Sequence, residues 1–131
     1  MSTEGRVPRP QGDYVPAVLH DGVVYTAGMT PRRDGVLAFT GAVGEGLDPD
    51  QARVAAGLAA GNALVAARSA TPSGAALRCL KMTVFIACTA DFTALSAVAD
   101  GASAVLVDEL GDVGRPARSA IGVCALPSGA P

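Results

Sequence analysis

Two long helical segments, each lying between apolar strand segments, constrain the fold of this 131-residue chain more than any other feature. The predicted element order is β-β-β-α-β-α-β. A helix that connects two strands of one sheet forms a crossover, so both helices are expected on the same face of a mixed sheet. The sequence therefore predicts an α+β fold in one domain, with two helices packed on one face of the sheet.

The strand segments are recognised by their apolar runs and by the turn residues between them. Residues 14–19 and 23–27 flank His20-Asp21-Gly22, and an Asp-Gly pair is typical of a tight hairpin turn. A second turn at Arg32-Arg33-Asp34-Gly35 precedes the third strand. The remaining predicted strands are residues 36–39, 80–88 and 116–123.

The first helix has a clear start signal. Asp48 can cap it, Pro49 fits the first turn, and Gln51 completes a capping box. We expect this helix to run to about Ser69. Its expected apolar anchors are Val54, Leu58, Leu64 and Val65.

The second helix is expected to be capped by Asp91 and to end at Gly111, although Gly101 lies inside it. In the first helix, Gly57-x-x-x-Gly61 predicts a close approach of the backbone to a neighbouring element. Residues 41–46 are glycine-rich but fit no phosphate-loop pattern, so they are predicted to form a flexible connector.

Composition narrows the possible functions. The net charge of −2 disfavours nucleic-acid binding, and one histidine with three cysteines outside CxxC spacing disfavours a metal site. The cysteines are expected to be reduced core residues. Residues 1–12 predict a loose arm that lacks the apolar core of a signal peptide. The longest uncharged stretch, residues 54–67, is shorter than the roughly 20 residues needed to span a bilayer. We therefore expect a cytoplasmic protein that does not contact membranes.

The strand segments are apolar on both faces, yet two helices can cover only one face. The other face needs a cover from outside the chain. In so small a protein the simplest cover is another copy, so a closed homo-oligomer is predicted.

Arg118 is a charged residue inside the apolar strand at residues 116–123. Burying an unpaired charge is expensive, and the planar guanidinium suits a carboxylate bound through two donors. Arg118 is therefore expected either to meet a carboxylate from elsewhere in the protein or to bind one on a ligand. A structural salt bridge and an edge-strand arginine that reaches water are the structural interpretations.

With these elements in order, the sequence resembles the Rid family of reactive-intermediate deaminases, the YjgF-like proteins. The most specific part is Pro116-Ala117-Arg118-Ser119 followed by Leu126-Pro127, and residues 14–15, 26–31 and 83–92 support it. The resemblance implies a chorismate-mutase-like fold. It also implies a homotrimer in which the sheets form a central barrel and ligand sites lie in clefts between subunits.

The resemblance also implies a site and a reaction. Arg118 matches the arginine that binds the carboxylate of a 2-imino or 2-enamino acid, Tyr14 lines the cleft, and the Gly28 backbone lies beside the ligand. Ala120 belongs to the same substrate-binding set. The implied reaction is hydrolysis of 2-aminoacrylate or 2-iminobutyrate to a 2-keto acid and ammonia, without metal or organic cofactor. Further residues expected near the cleft are Thr30, Ser96 and Ser119.

Several positions differ from the family pattern. Ala120 stands where a cysteine is common, Ala27 where a serine is common, and Ser96 near a common asparagine. The glutamate associated with the catalytic water is expected after Pro131, together with a final strand. The sequence therefore identifies a carboxylate-binding arginine but no general base.

Two other functions remain open on the sequence. One is a non-catalytic trimeric module that binds small carboxylates or a protein partner in the same cleft. The other is a family member recruited to a biosynthetic step on a different carboxylate. Ser119 as a nucleophile has less support, because the only histidine, His20, lies in a predicted turn on another element.

Overall fold

The computed structural model describes residues 6–131, which contain two α-helices and eight strands. Residues 1–5 of the predicted arm lie outside the described residues, and residues 6–12 form no helix or strand. The helices are α1 (Pro49–Ser69) and α2 (Leu95–Leu110). The strands are β1 (Ala17–His20), β2 (Val23–Thr26), β3 (Arg32–Arg33), β4 (Val36–Leu37), β5 (Ala42–Val43), β6 (Gly46–Leu47), β7 (Lys81–Ala87) and β8 (Ala117–Val123).

The first two strands form the predicted hairpin. They are antiparallel, and the turn residues Asp21 and Gly22 have φ angles of 49° and 77°. Positive φ at both turn positions matches the twist of the flanking strands, which explains the Asp-Gly pair. β1 begins at Ala17, later than predicted, because the Tyr14 N–H donates to the Gly12 carbonyl and folds the preceding residues into a bend.

The segment before α1 is more ordered than the sequence predicted. β3 and β4 pair around Asp34-Gly35, and β5 and β6 lie within the glycine-rich residues 41–47. Val43 is fully buried, and its carbonyl accepts a hydrogen bond from the Thr89 N–H just after β7. The prediction of a flexible connector was wrong, because a core valine anchors this segment.

α1 has the predicted boundaries. The Asp48 carboxylate accepts from the Gln51 N–H at 2.7 Å, and the Gln51 side-chain oxygen accepts from the Asp48 N–H at 3.0 Å. The capping box is therefore confirmed. Leu58 and Leu64 are buried as expected, but Val54 is exposed, because alanines occupy the buried positions at this end of the helix.

The two helices pack on each other through glycines. A Cβ on Gly57 would lie 3.1 Å from the Gly101 carbonyl oxygen, and a Cβ on Gly101 would overlap the carbonyl of Arg53. The close approach predicted at Gly57 is confirmed. α2 continues through Gly101 because only glycine allows this crossing.

The start of α2 differs from the prediction. The helix begins at Leu95, and Ala94 at the cap position provides no side-chain hydrogen bond. The Phe92 N–H donates to the Thr89 carbonyl, so a separate turn precedes the helix. Asp91 lies within that turn and does not cap the helix as expected.

β7 and β8 form a parallel pair with the helices on one face. Met82, Val84 and Ile86 of β7 pack against residues of α1 and α2. Phe85 alternates to the opposite face, beside Ile121 of β8, and these residues are 51% and 42% exposed. One face of the pair is thus core and the other is apolar surface.

The predicted α+β class is confirmed, with both helices on one side of the longest strands. Within residues 6–131, the hairpin β1–β2 and the pair β7–β8 are not hydrogen-bonded to each other. The single mixed sheet expected from the sequence is therefore present as separate two-stranded units. Neither described helix combines the length and hydropathy that crossing a membrane requires.

Candidate functional site

Arg118 lies at the start of β8, opposite Met82 of β7, and its side chain reaches α2. Its Nη1 donates to Asp100 Oδ1 at 2.9 Å and to Ser103 Oγ at 2.9 Å. Its Nη2 donates to Ser96 Oγ at 2.8 Å and to the Ser96 carbonyl oxygen at 3.2 Å. The terminal nitrogens of the guanidinium therefore make four hydrogen bonds to α2. We call the residues that take part, Arg118, Ser96, Asp100 and Ser103, the arginine cluster.

The acceptors of the arginine cluster share one side of α2. Ser96, Asp100 and Ser103 are four and three residues apart, and this spacing places side chains next to each other on a helix. Sequence reasoning named Ser96 but missed Asp100 and Ser103, because it considered only the apolar positions of that helix. The signal that could have found them was the polar i, i+4, i+7 pattern.

The two charged groups of the cluster differ in burial. The Arg118 side chain is 17% exposed, and the Asp100 side chain is 59% exposed. The hydrogen bonds offset the cost of covering the guanidinium, whereas the carboxylate remains largely hydrated. The sequence left open whether Arg118 meets a carboxylate of the protein or one on a ligand. Within one chain its partner is the carboxylate of Asp100.

Ser119 and Ala120, which follow Arg118, point to opposite faces of β8. The Lys81 Nζ donates to Ser119 Oγ at 2.8 Å on the face opposite the helices. Ala120 shares the face of Arg118 and packs against the buried cluster that contains Val43. The structure thus places Ala120 beside Arg118 and places Ser119 on the other side of the strand.

The other predicted site residues lie near the first hairpin. Tyr14 is exposed before β1, and its hydroxyl oxygen accepts from the Gln11 N–H at 3.1 Å. Gly28 is exposed and Thr30 partly buried in the loop after β2. Within residues 6–131, none of these three candidates hydrogen-bonds to Arg118. Among the predicted site residues within residues 6–131, only Ser96 hydrogen-bonds to Arg118 of the same chain.

Asn62 of α1 fixes the loop that contains Gly28 and Thr30. Its Nδ2 donates to the Thr30 carbonyl at 3.1 Å and to the Arg32 carbonyl at 2.9 Å. Sequence reasoning missed this contact. The available signal was the only asparagine of the chain, set in an alanine-rich stretch of a long helix.

The three cysteines are free thiols. Burial raises the pKa of the Cys79 thiol, which lowers its thiolate fraction at neutral pH and opposes a nucleophilic role. Cys124 is exposed, so the prediction that all three are core residues was wrong there. Among residues 6–131, no group of three or more histidine, cysteine or acidic residues is arranged to hold a metal ion.

A shallow depression of about 460 Å³ lies at the start of α1. The Asp48 and Gln51 side chains there already bond to each other's backbone in the capping box. Its position does not coincide with any predicted site residue. The lining residues are Gly44, Gly46, Leu47, Asp48, Pro49 and Gln51.

The model of the family described as Endoribonuclease L-PSP matches residues 4–131. The chain belongs to this family. The Endoribonuclease L-PSP family lies in the YjgF/Rid superfamily, so the resemblance found in the sequence is confirmed. The match includes β8 and therefore the Pro-Ala-Arg-Ser segment.

Individual proteins are similar to this chain over most of its length. Protein TCP17 of Trypanosoma cruzi is 32% identical over 123 residues, which cover 92% of this chain and 77% of that protein. The crystal structure of Atu1372 from Agrobacterium tumefaciens, a protein of unknown function, is 34% identical with a TM-score of 0.85; the match covers 90% of this chain and 76% of that one.

A third relative shows the same fold at lower identity. The crystal structure of a putative endoribonuclease from Shewanella oneidensis MR-1 is 22% identical, with a TM-score of 0.88. The match covers 96% of this chain and 84% of that one. The solved structures show the fold, and the family model shows the superfamily. The reaction is argued below from the residues of this chain.

Proposed function

We propose that this protein is a Rid-type hydrolase that converts reactive 2-imino and 2-enamino acids, such as 2-iminobutyrate and 2-aminoacrylate, to 2-keto acids and ammonia. Arg118 binds the carboxylate of the substrate. The observation that carries the proposal is a mostly covered guanidinium on β8, within the Pro-Ala-Arg-Ser segment of a chain that belongs to this superfamily. An arginine in a planar, pre-positioned arrangement is well suited to carboxylate recognition.

The proposed chemistry makes modest demands on the protein. Water adds to the carbon of the C=N bond, that bond breaks, and a protonated 2-imino acid plus water gives a 2-keto acid plus ammonium. The iminium carbon is already electrophilic. The protein therefore has to orient the acid through Arg118 and to position one water, and such positioning supplies a large part of many rate enhancements.

The active form in this proposal is a homotrimer with the ligand between subunits. Phe85 and Ile121 form an exposed apolar pair on the sheet face opposite the helices, and contiguous apolar surface of this kind favours a protein partner. An obligate interface of this type buries upwards of roughly 2,000 Å². Tyr14, Gly28 and Thr30 of one subunit then complete the cleft around Arg118 of the next.

A non-catalytic trimeric module that binds small carboxylates is the second candidate. Asp100 is the carboxylate of the arginine cluster, and its Oδ1 already accepts a hydrogen bond from Arg118 Nη1. That engagement favours binding without catalysis, unless another group supplies the base. Both candidates use the same arginine and differ in whether the imine is turned over.

The composition of this chain does not favour the endoribonuclease activity that the family description names. The net charge is −2, and the only histidine, His20, is exposed at the end of β1 beside Asp21. Phosphate binding depends on clustered positive charge, which this composition does not favour. The three free thiols are typical of a reducing compartment, and we include a cytoplasmic location in the proposal.

The test is the release of 2-oxobutyrate from freshly generated 2-iminobutyrate, measured for the wild type, Arg118→Ala and the control Arg78→Ala. Arg78 is an exposed arginine outside the arginine cluster. We expect turnover by the wild type and the control and a loss of several tens-fold or more in Arg118→Ala, as for a charge-assisted contact. Full activity of Arg118→Ala contradicts the site. A wild type that binds carboxylates without turnover identifies the binding module.

A further inference from the structure

We propose that Asp100 is a specificity-determining residue that favours zwitterionic ligands over simple carboxylates at Arg118. This inference rests on the proposed function, because it names the substrate class of the same arginine site. Its basis is the carboxylate that the site already contains. Asp100 Oδ1 lies 2.9 Å from Arg118 Nη1, where a ligand carboxylate is expected to bind.

A ligand carboxylate competes with acceptors that are already in place. Asp100, Ser103 and Ser96 accept four hydrogen bonds from the two terminal nitrogens of Arg118. A bidentate ligand has to displace at least one of them, and Asp100 is the most easily displaced because its side chain is 59% exposed. Ser96 and Ser103 continue to bond to the guanidinium while the Asp100 carboxylate moves away from Arg118 Nη1.

The displaced Asp100 remains beside the ligand as a negative charge. A plain carboxylate, such as a 2-keto acid, is attracted by Arg118 and repelled by Asp100. A ligand with a positive nitrogen one carbon from its carboxylate offers an anion to Arg118 and a cation to Asp100. One ion pair is then exchanged for two, and the site is complementary to a zwitterion.

This difference separates substrate from product in the proposed reaction. A protonated 2-imino acid is a zwitterion, whereas the 2-keto acid formed from it has lost the positive nitrogen. Asp100 therefore favours binding of the imino acid and release of the keto acid. In this assignment Asp100 pairs through its charge with the iminium nitrogen that the product lacks, so its effect is measured as a preference between ligands with and without that nitrogen.

The test uses two stable ligands that differ at the 2-position. 2-Aminobutyrate is zwitterionic at neutral pH, and 2-oxobutyrate is its anionic counterpart. Their dissociation constants are measured by isothermal titration calorimetry for the full chain as wild type, Asp100→Asn and Asp108→Asn. Asp108 is an exposed aspartate of α2 that is not among the hydrogen-bond partners of Arg118 within residues 6–131, so its variant controls for the loss of one negative charge.

We expect Asp100→Asn to bind 2-oxobutyrate roughly three- to tenfold more tightly, as expected for removal of a partly exposed competing charge. The preference for 2-aminobutyrate should fall by a similar factor, and Asp108→Asn should match the wild type. An unchanged preference in Asp100→Asn overturns the assignment, and so does equal tightening of both ligands. Failure of every variant to bind either ligand overturns it as well.

The imine assay separates this inference from the proposed function. A shifted ligand preference in a protein that does not hydrolyse 2-iminobutyrate supports the role of Asp100 and contradicts the hydrolase. An unchanged preference in a protein that does hydrolyse it supports the hydrolase and overturns the role of Asp100. Urea unfolding checks that the variants fold, and Asp100→Ser provides a second, smaller replacement.

Discussion

At the residue scale, the guanidinium of Arg118 is stabilised by hydrogen bonds to acceptors on α2. One carboxylate, two hydroxyls and one carbonyl accept its four hydrogen bonds, so three of the four acceptors carry no charge. Arg118 could be identified from the sequence because a charge in an apolar strand needs a partner. Asp100 could not, because its role depends on how α2 lies over β8, which local spacing does not specify.

The geometry of the guanidinium predicts how substitutions at Arg118 change stability. Arg118→Ala should lower the free energy of unfolding by about 1–2 kcal/mol, since neutral acceptors lose their donor and the partner carboxylate is largely hydrated. Arg118→Lys should fall between this variant and the wild type, because an ammonium lacks the planar fork. Urea unfolding measures both, with Arg78→Ala as control. A lysine variant as stable as the wild type would show that the fork geometry is unimportant.

Asn62 provides a second prediction at this scale. Asn62→Ala leaves the Thr30 and Arg32 carbonyls without their side-chain donor, which should cost about 1–3 kcal/mol of unfolding free energy. Asn62→Asp should be worse at neutral pH, because a carboxylate would face two carbonyl oxygens. Its penalty should shrink as the pH falls and protonation restores a donor. A pH-independent penalty in the aspartate variant, measured by urea unfolding between pH 4 and 8, would contradict this geometry.

At the element scale, the two helices illustrate which boundaries are local. α1 starts where its sequence predicts, because Asp48 and Gln51 bond to each other's backbone without help from the rest of the fold. α2 does not, because the turn around Phe92 delays the start beyond the candidate cap Asp91. Local signals predicted the first boundary, whereas the turn closed by the Phe92 N–H and the Thr89 carbonyl sets the second.

The helix crossing gives a prediction that opposes helix propensity. Gly101→Ala should stabilise α2 by up to about 1 kcal/mol from propensity alone, but its new Cβ would overlap the Arg53 carbonyl. We expect a net loss of about 1–3 kcal/mol in thermal or urea unfolding. Ala104→Gly, at an exposed position of α2, is the matched control and should cost about 1 kcal/mol. A stabilised Gly101→Ala protein would contradict the close crossing.

At the scale of the whole molecule, the element order and the apolar pattern predicted the α+β class and a surface that needs a cover. The β7–β8 pair has one face packed under the helices and another face that exposes Phe85 and Ile121. The pairing of the short strands β5 and β6 could not be predicted. Such brief segments carry no periodic pattern, and their positions follow from the burial of Val43.

The proposed trimer is tested by introducing a charge on that exposed face. The wild type should sediment at about three times the 13.0 kDa mass of one chain. Phe85→Glu should convert it to monomers at micromolar concentration, because a carboxylate would be buried in an apolar interface. Val54→Glu, on the exposed side of α1, should leave the assembly unchanged. A monomeric wild type, or a trimeric Phe85→Glu protein, would contradict the proposed interface.

The most direct test of the arginine site is a crystal structure of the protein with 2-aminobutyrate. We expect the ligand carboxylate on Arg118, with Ser96 and Ser103 still bonded to the guanidinium and Asp100 turned from Nη1 toward the ligand nitrogen. We also expect that Tyr14 of a neighbouring subunit lines the same cleft. A ligand bound elsewhere, with Arg118 still paired to Asp100, would contradict the proposed site.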